Sequence, residues 1–286
     1  MVIFGGGFSD QVRLPHLRCS LRKLQLNVMP ATPLDIYLWV PAKDTEAANI
    51  PDWLKAPEYD RVFLMPIPLE SFRMPCGLSN DATWTVRKHF SLEYYIMGRW
   101  RMTFAIDFVR AMGYKYYLQL DDDAMINNQL SMNIVDTFKS KGYNMGVFSD
   151  HFGEPITITN GLPELTKFWL TINHFTPQGT LLEHVRGNSL ANVNSDDWDR
   201  YYHPVYFLIL DIDYWFTDNV QSFVSLIMKT GRDIEGRWLE QMIQNMVRLV
   251  FIPKEKVWIV NEVDVGHDRH HKASFENWCV KTGIIK

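Results

Sequence analysis

Three consecutive carboxylates, Asp121-Asp122-Asp123, stand directly after the apolar run Tyr116-Tyr117-Leu118-Gln119-Leu120. Charges of one sign packed that closely repel one another, and a divalent cation is the simplest partner that neutralises them. Side chains alternate along an extended segment, so Asp121 and Asp123 are expected on one side as an Asp-x-Asp pair. Such a pair suits Mn²⁺ or Mg²⁺, hard ions that take carboxylate oxygens together with substrate phosphates. A solvated acidic turn could carry the same triplet, but delivery by a buried strand favours the metal reading.

A second source of ligands lies near the other end of the chain, in Val263-Asp264-Val265-Gly266-His267-Asp268-Arg269-His270-His271. The imidazoles follow a predicted strand, and His267, with His270 as second choice, is the candidate that completes the carboxylate site. Between the two acidic and imidazole segments, Thr230 to Gln241 packs charges and an indole around two glycines. It reads equally as an ordinary helix start capped by Asp233 or as the place of an acid. In the second reading Glu235 or Glu240 stabilises oxocarbenium-like charge, or acts as nucleophile or base, as sugar transfer requires. The Gly5-Gly6-Gly7 turn lets backbone approach a nucleotide, although it lacks Gly-x-Gly-x-x-Gly spacing. Arg99 and Arg101 are candidates for phosphate contact, against the plainer reading of arginines on a helix surface.

The elements that must hold these residues follow from apolar spacing. Val2 to Phe4, Asp35 to Val40, Arg61 to Ile67, Tyr116 to Leu120, Val205 to Ile212 and Val257 to Val260 read as strands. Helical spacing covers Val12 to Asn27, Ser91 to Met112, Leu162 to Leu170, Asn219 to Thr230 and Glu235 to Val250, with a loop at Leu181 to Trp198. This alternation predicts an α/β fold with a mostly parallel central sheet, the acidic triplet at the carboxyl end of a strand.

Composition narrows the partners. At 286 residues, 47% of them hydrophobic, the chain can bury one large core. A net charge of −4 gives no basic field, which argues against nucleic acid. No apolar stretch approaches the ~20 residues of a membrane span, and the first residues lack the pattern of a signal peptide. Three scattered cysteines, Cys19, Cys76 and Cys279, and the absence of any Asn-x-Ser/Thr site lean towards a reducing compartment. A soluble cytoplasmic protein is therefore expected, the alternative being a Golgi-lumen catalytic domain separated from its anchor.

The ordered segments resemble the family 15 glycosyltransferases, fungal α-1,2-mannosyltransferases that use GDP-mannose and Mn²⁺ on a GT-A fold. Met97-Gly98-Arg99-Trp100 looks like that family's Met-Cys-Arg-Phe, and Tyr116 to Asp123 like its Tyr-Tyr-Trp-Arg-Val-Glu-Pro-Asp. Gly161-Leu162-Pro163-Glu164-Leu165, Leu210 to Phe216, Arg237-Trp238 and Asp264-Val265-Gly266-His267 resemble further family segments in the same order. The family's metal-site Glu is Asp121 here, its Pro is Asp122, and the Asp after its Arg-Trp falls at Glu240. The resemblance implies a single GT-A domain over 1–286, with a donor half at 1–123 and an acceptor half at 124–286. It implies a retaining transfer from a GDP- or UDP-sugar to a glycan or glycoprotein. Asp121, Asp123 and His267 would hold the metal; Gly5, Gly6, Arg99 and Asp121 would face the donor; and Glu240, with Glu235 contributing, would flank the anomeric carbon. A metal-dependent phosphoesterase and a catalytically inactive carbohydrate-binding relative are the competing classes.

Overall fold

The computed structural model describes residues 1–5, 7–75, 77–78, 91–148, 151, 153–267, 279–281 and 283. Among the described residues there are nine strands: β1 (Val2–Phe4), β2 (Ile36–Val40), β3 (Val62–Pro66), β4 (Tyr116–Leu120), β5 (Ala124–Ile126), β6 (Met145–Val147), β7 (Phe207–Asp211), β8 (Val257–Ile259) and β9 (Val265–His267). Seven of them build one sheet in the order β3-β2-β1-β4-β7-β6-β8, while β5 and β9 make a separate antiparallel pair. The first four strands are parallel, as the alternation of elements predicts. Beyond them β7 runs against both β4 and β6, so the sheet is mixed there and only largely parallel.

Helices cover both faces. They are α1 (Arg13–Lys23), α2 (Leu92–Trp100), α3 (Ile106–Ala111), α4 (Ile134–Lys141), α5 (Leu162–Ile172), α6 (Ile212–Trp215), α7 (Asp218–Thr230), α8 (Arg232–Glu235) and α9 (Leu239–Phe251). Alternation along the strands decides which face each side chain meets. Ile3, Leu38, Leu118 and Leu120 pack with Leu17 and Leu21 of α1 and Phe138 of α4. Tyr37, Trp39, Tyr117 and Leu210 point the other way, onto Trp100, Ile106, Trp169, Phe223 and Ile243 from α2, α3, α5, α7 and α9. Helix α9 is buried on nearly every side, its polar Glu240, Gln244, Asn245 and Arg248 included.

Three local departures from the sequence reading matter for the site. The single helix expected over Ser91 to Met112 is interrupted by a π-helical turn, Arg101–Ala105, between α2 and α3. The helix expected from Glu235 onward is two, because Arg237 and Leu239 take φ of 55° and 38° and break the ladder between α8 and α9. Finally, Cys19 and Cys279, 260 residues apart, are joined in a disulfide with their Cα atoms 5.9 Å apart. Scattered cysteines therefore do not argue for a reducing compartment: distance along the chain says nothing about distance in the fold. No helix among the described residues is long and apolar enough to cross a membrane.

Candidate active site

The site begins where β4 ends. Asp121 donates its backbone N–H to Tyr206 O at 3.1 Å, and Ala124 N–H donates to Asp121 O at 3.0 Å. The triplet is thus a turn rather than an extended segment, yet it separates its carboxylates as alternation would. Asp122 turns away into an ion pair with Arg13, on the first turn of α1. Burial pushes the Asp122 carboxyl up to about 6, with Arg13 opposing the rise and the neighbouring Asp123 and Asp121 adding to it.

Asp121 and Asp123 face His267, and the β5–β9 pair is the reason. Its register sets Ala124 opposite His267, and Asn127 N–H extends the pairing by donating to Asp264 O at 2.8 Å. The imidazole is thereby held one residue from Asp123. His267 Nε2 lies 3.3 Å from Asp123 Oδ1 and 3.6 Å from Asp121 Oδ2, and its ring leans on Tyr206 at 4.9 Å between centroids. One ligand atom from each of the three residues falls within 4.8 Å of the others. Two ligands about 2.1 Å from one ion and cis to each other stand ~3 Å apart, so the spacing suits a small divalent cation. A facial set of three leaves about three positions of an octahedron for substrate oxygens or water.

The acidic group is also tied to α9. Arg101, 5% exposed, places Nη2 at 2.7 Å from Asp121 Oδ1 and donates from Nη1 to Glu240 Oε1 at 2.9 Å. Burial alone would raise the Asp121 carboxyl; Arg101 and then His267 override it and hold it well below the usual range. Within this cluster Asp121 and Glu240 share the Arg101 guanidinium, while Arg13 pairs with Asp122 and lies in the field of Asp123 and Asp121. Carboxylates from one run of the chain and another from α9 are thus crowded into one place, an arrangement that favours a bound cation. Glu240 fits because position 98 is glycine: a Cβ there would lie 2.5 Å from Glu240 Oε2. Tyr94 faces the same group, and its hydroxyl is pushed up to about 12 by burial, then by Glu240 and Asp121.

The remaining sequence candidates fall around this centre. Gly5 continues the β1–β2 ladder, donating to Trp39 O at 2.8 Å, while Gly6 lies outside the described residues. Gly7 has φ of 99°, and the turn is fixed by Phe8 N–H donating to the buried Asp44 carboxylate at 3.0 Å. Since Val2 pairs with Gln119, the end of β1 and this turn sit beside the acidic triplet. Arg99 directs its guanidinium at Asp233, with Nη1 at 2.9 and 2.8 Å from the two carboxylate oxygens, and at Met228 O. Asp233 is therefore an ion-pair partner and not the start of a long helix. Glu235 ends α8, half-buried, whereas Glu240 is the second residue of α9 and reaches the acidic group. His270 lies outside the described residues.

Arg101, a candidate for phosphate contact in the sequence, instead bridges two carboxylates, and sequence reasoning missed Tyr94 and Arg13 as site residues. Gly98 was an available signal for the approach of Glu240 to this helix. A glycine inside a helix costs about 1 kcal/mol against alanine, so its presence marks a close approach by something else.

No protein-family model matches the sequence, and no curated protein sequence matches it. Solved structures do. Core-mannan synthase A (CmsA/Ktr4) of Aspergillus fumigatus, in its Mn/GDP form, superposes with a TM-score of 0.76 at 14% identity, over 93% of this chain and 73% of that one. The mannosyltransferase Ktr4p of S. cerevisiae in complex with GDP gives 0.73 at 13% identity, over 93% and 70%. The same enzyme in a second structure gives 0.75 at 14%, over 93% and 69%. The chain thus has the GT-A fold of nucleotide-sugar glycosyltransferases, and the family 15 likeness read from its ordered segments holds for the fold.

Proposed function

We propose that this chain is a metal-dependent glycosyltransferase that moves a sugar from a nucleoside diphosphate donor to a hydroxyl of a glycan or glycoprotein. The observation that carries the reading is the convergence of Asp121, Asp123 and His267 at the carboxyl end of β4, beside the end of β1. Among the described residues only this one group of three or more ligands converges, which suits a single-ion transferase better than a two-metal phosphoesterase.

In this reading Asp121 Oδ2, Asp123 and His267 Nε2 hold Mn²⁺ or Mg²⁺. The ion, when bound, supplies positive charge to the diphosphate as the sugar leaves it. The Gly5–Gly7 turn takes the nucleotide side, with residues 1–123 forming the donor half and 124–286 the acceptor half. Glu240 stabilises the oxocarbenium-like charge at the anomeric carbon, Glu235 contributing from further out, and Tyr94 supplies a neutral hydroxyl that donates a hydrogen bond. The bond from the anomeric carbon to the diphosphate oxygen breaks, a bond to the acceptor oxygen forms, and the acceptor proton leaves with the nucleotide. GDP-mannose is the proposed donor and retention the proposed outcome, because the superposable mannosyltransferases carry GDP and the segment order resembles family 15. The Cys19–Cys279 disulfide supports maturation in an oxidising compartment such as the secretory lumen over the cytoplasm.

The test is donor hydrolysis and transfer with a panel of GDP- and UDP-sugars, with Mn²⁺, with Mg²⁺ and in EDTA. Metal-dependent release of GDP from GDP-mannose is expected. Equal nucleotide binding in EDTA and Mn²⁺ by calorimetry would remove the ion from the reading.

A further inference from the structure

We propose that Arg101 is a positioning residue: its guanidinium fork locks the ligand Asp121 and the acid Glu240 into one rigid unit, so that ion binding and sugar-transfer geometry depend on the same side chain. This rests on the metal-dependent transfer reading above. Three features of the chain point to it.

The first is the division of oxygens. Arg101 Nη2 occupies Asp121 Oδ1, leaving Oδ2 turned towards His267 Nε2, so that Asp121 offers the ion a single oxygen. A carboxylate restrained to one oxygen keeps coordination positions open for the donor. The second is how Arg101 comes to be inside. The π-helical turn Arg101–Ala105 widens the helix at this point, and Trp100, Arg101 and Met102 are buried in succession, which regular α-helical spacing does not allow on one face. Wide turns of this kind recur at functional sites.

The third feature is the approach of Glu240. Arg237 and Leu239 hold positive φ on the way into α9, a strained conformation that persists where surrounding contacts over-determine it. Arg101 on Oε1 and the bare backbone of Gly98 under Oε2 are those contacts. Only a planar fork can serve both carboxylates at once; an ammonium group is a single point of charge.

The experiment measures Mn²⁺ affinity of the donor-free protein by electron paramagnetic resonance of the free ion, beside kcat and donor KM at saturating Mn²⁺. The variants are Arg101→Lys, Arg101→Met, Glu240→Gln and the double variant Arg101→Met/Glu240→Gln. The double variant removes opposite charges together, and it carries the test should Arg101→Met fail to fold. Arg101→Met is expected to weaken Mn²⁺ binding by on the order of 10- to 100-fold, as loss of an outer-shell partner does, with Arg101→Lys intermediate. Glu240→Gln keeps Mn²⁺ affinity within about twofold while lowering kcat, because it touches the ion only through Arg101. In the Glu240→Gln background, Arg101→Met should still weaken Mn²⁺ binding yet lower kcat little further, the coupling of neighbours in one network. A merely structural arginine would lower Tm and leave the Mn²⁺ affinity of the folded protein unchanged, and that result in either background overturns the proposal. Equal, independent losses of kcat in both backgrounds also overturn it. Absence of Mn²⁺ binding and donor cleavage in the unaltered protein is a different failure: it sinks the transferase reading on which the proposal stands.

Discussion

Two charged clusters sit at opposite ends of the same parallel strands. At the amino ends of β2, β3 and β4, Asp35 accepts from Arg61 Nε and Nη2 at 3.0 and 2.6 Å and from Tyr114 Oη at 2.6 Å, with Tyr37 and Tyr114 hydroxyls 2.9 Å apart. That cluster is closed: Asp35 takes Arg61 and Tyr114 on its carboxylate and the Met1 amine on its carbonyl, so each donor is aimed at an acceptor. At the carboxyl end of β4, Arg101 bridges Asp121 and Glu240, and the ligand atoms of Asp121, Asp123 and His267 converge on a common point. A fold that only needed stability would balance both clusters alike. The converging ligand atoms at one end are what a bound cation and an anionic substrate would complete.

The sharpest way to break the comparison is to remove one acid from the open end. Asp123→Ala is expected to lower turnover by on the order of 10³-fold, since the ion and its stabilisation of the leaving diphosphate are lost with it. The same change relieves like-charge repulsion, so the metal-free variant should melt no lower than the unaltered protein in a calorimeter. Near-normal turnover would take Asp123 out of the site. A smaller loss follows at the far end of the Arg101 bridge. Glu240→Gln should lower kcat by about 10²-fold with donor KM little changed, and Glu235→Gln should stay within a few-fold of the unaltered enzyme. The reverse ranking would place the acid one helix earlier.

The parallel half of the fold and the acidic triplet were legible because they depend on local pattern. Strands β1 to β4 are continuous apolar runs, and the triplet follows the last of them directly. His267 was legible as a ligand type, but not the way it arrives. Strands β5 and β9 are three residues each, and neither is stable without the other, so only their long-range pairing defines them. The buried, bridging place of Arg101 was illegible for a related reason. A π-helical turn shifts which residues face inward, and apolar spacing read at 3.6 residues per turn places that arginine on the surface. The break before α9 depends on two residues at positive φ that carry neither Gly nor Asn as a signal. The disulfide joins residues that nothing local relates. What was missed is what distant segments impose on one another.

A third expectation separates the two ends by the sign of their pH dependence. Asp122, 2% exposed, has its carboxyl raised from 3.8 to about 6. The folded state then binds its proton more readily than the unfolded chain, so the group favours folding in acid and costs stability as pH rises from about 4 through 6. Over that window the cost is about 3 kcal/mol. Asp122→Asn keeps an acceptor for Arg13 and removes the titration. Urea midpoints of metal-free protein should therefore converge between the two forms near pH 4 and favour the variant at pH 7. Parallel curves would mean that the buried carboxyl does not titrate in this range.

The closed end should do the opposite, and weakly. Burial alone would raise the Asp35 carboxyl, but hydrogen bonds from Tyr114 and Arg61, then the Arg61 charge, lower it below its ordinary value. An acid whose folded value is lowered contributes stability above its unfolded value, near 4, and loses that contribution as pH falls through the folded one. Arg61 is 40% exposed and Asp35 24%, so solvent screens the pair and the expected contribution is only about 1 kcal/mol. Asp35→Asn retains an acceptor for Tyr114 and isolates the charge. It should lower the urea midpoint at pH 7 by an amount equivalent to about 1 kcal/mol, with the difference from the unaltered protein shrinking below pH 4. Turnover and Mn²⁺ affinity should not change, because nothing at this end of the strands reaches the ligand atoms at the other. A loss of activity in Asp35→Asn at full folding would show the two ends to be coupled through β2 and β4. The open cluster could then no longer be treated as a site separate from the scaffold beneath it.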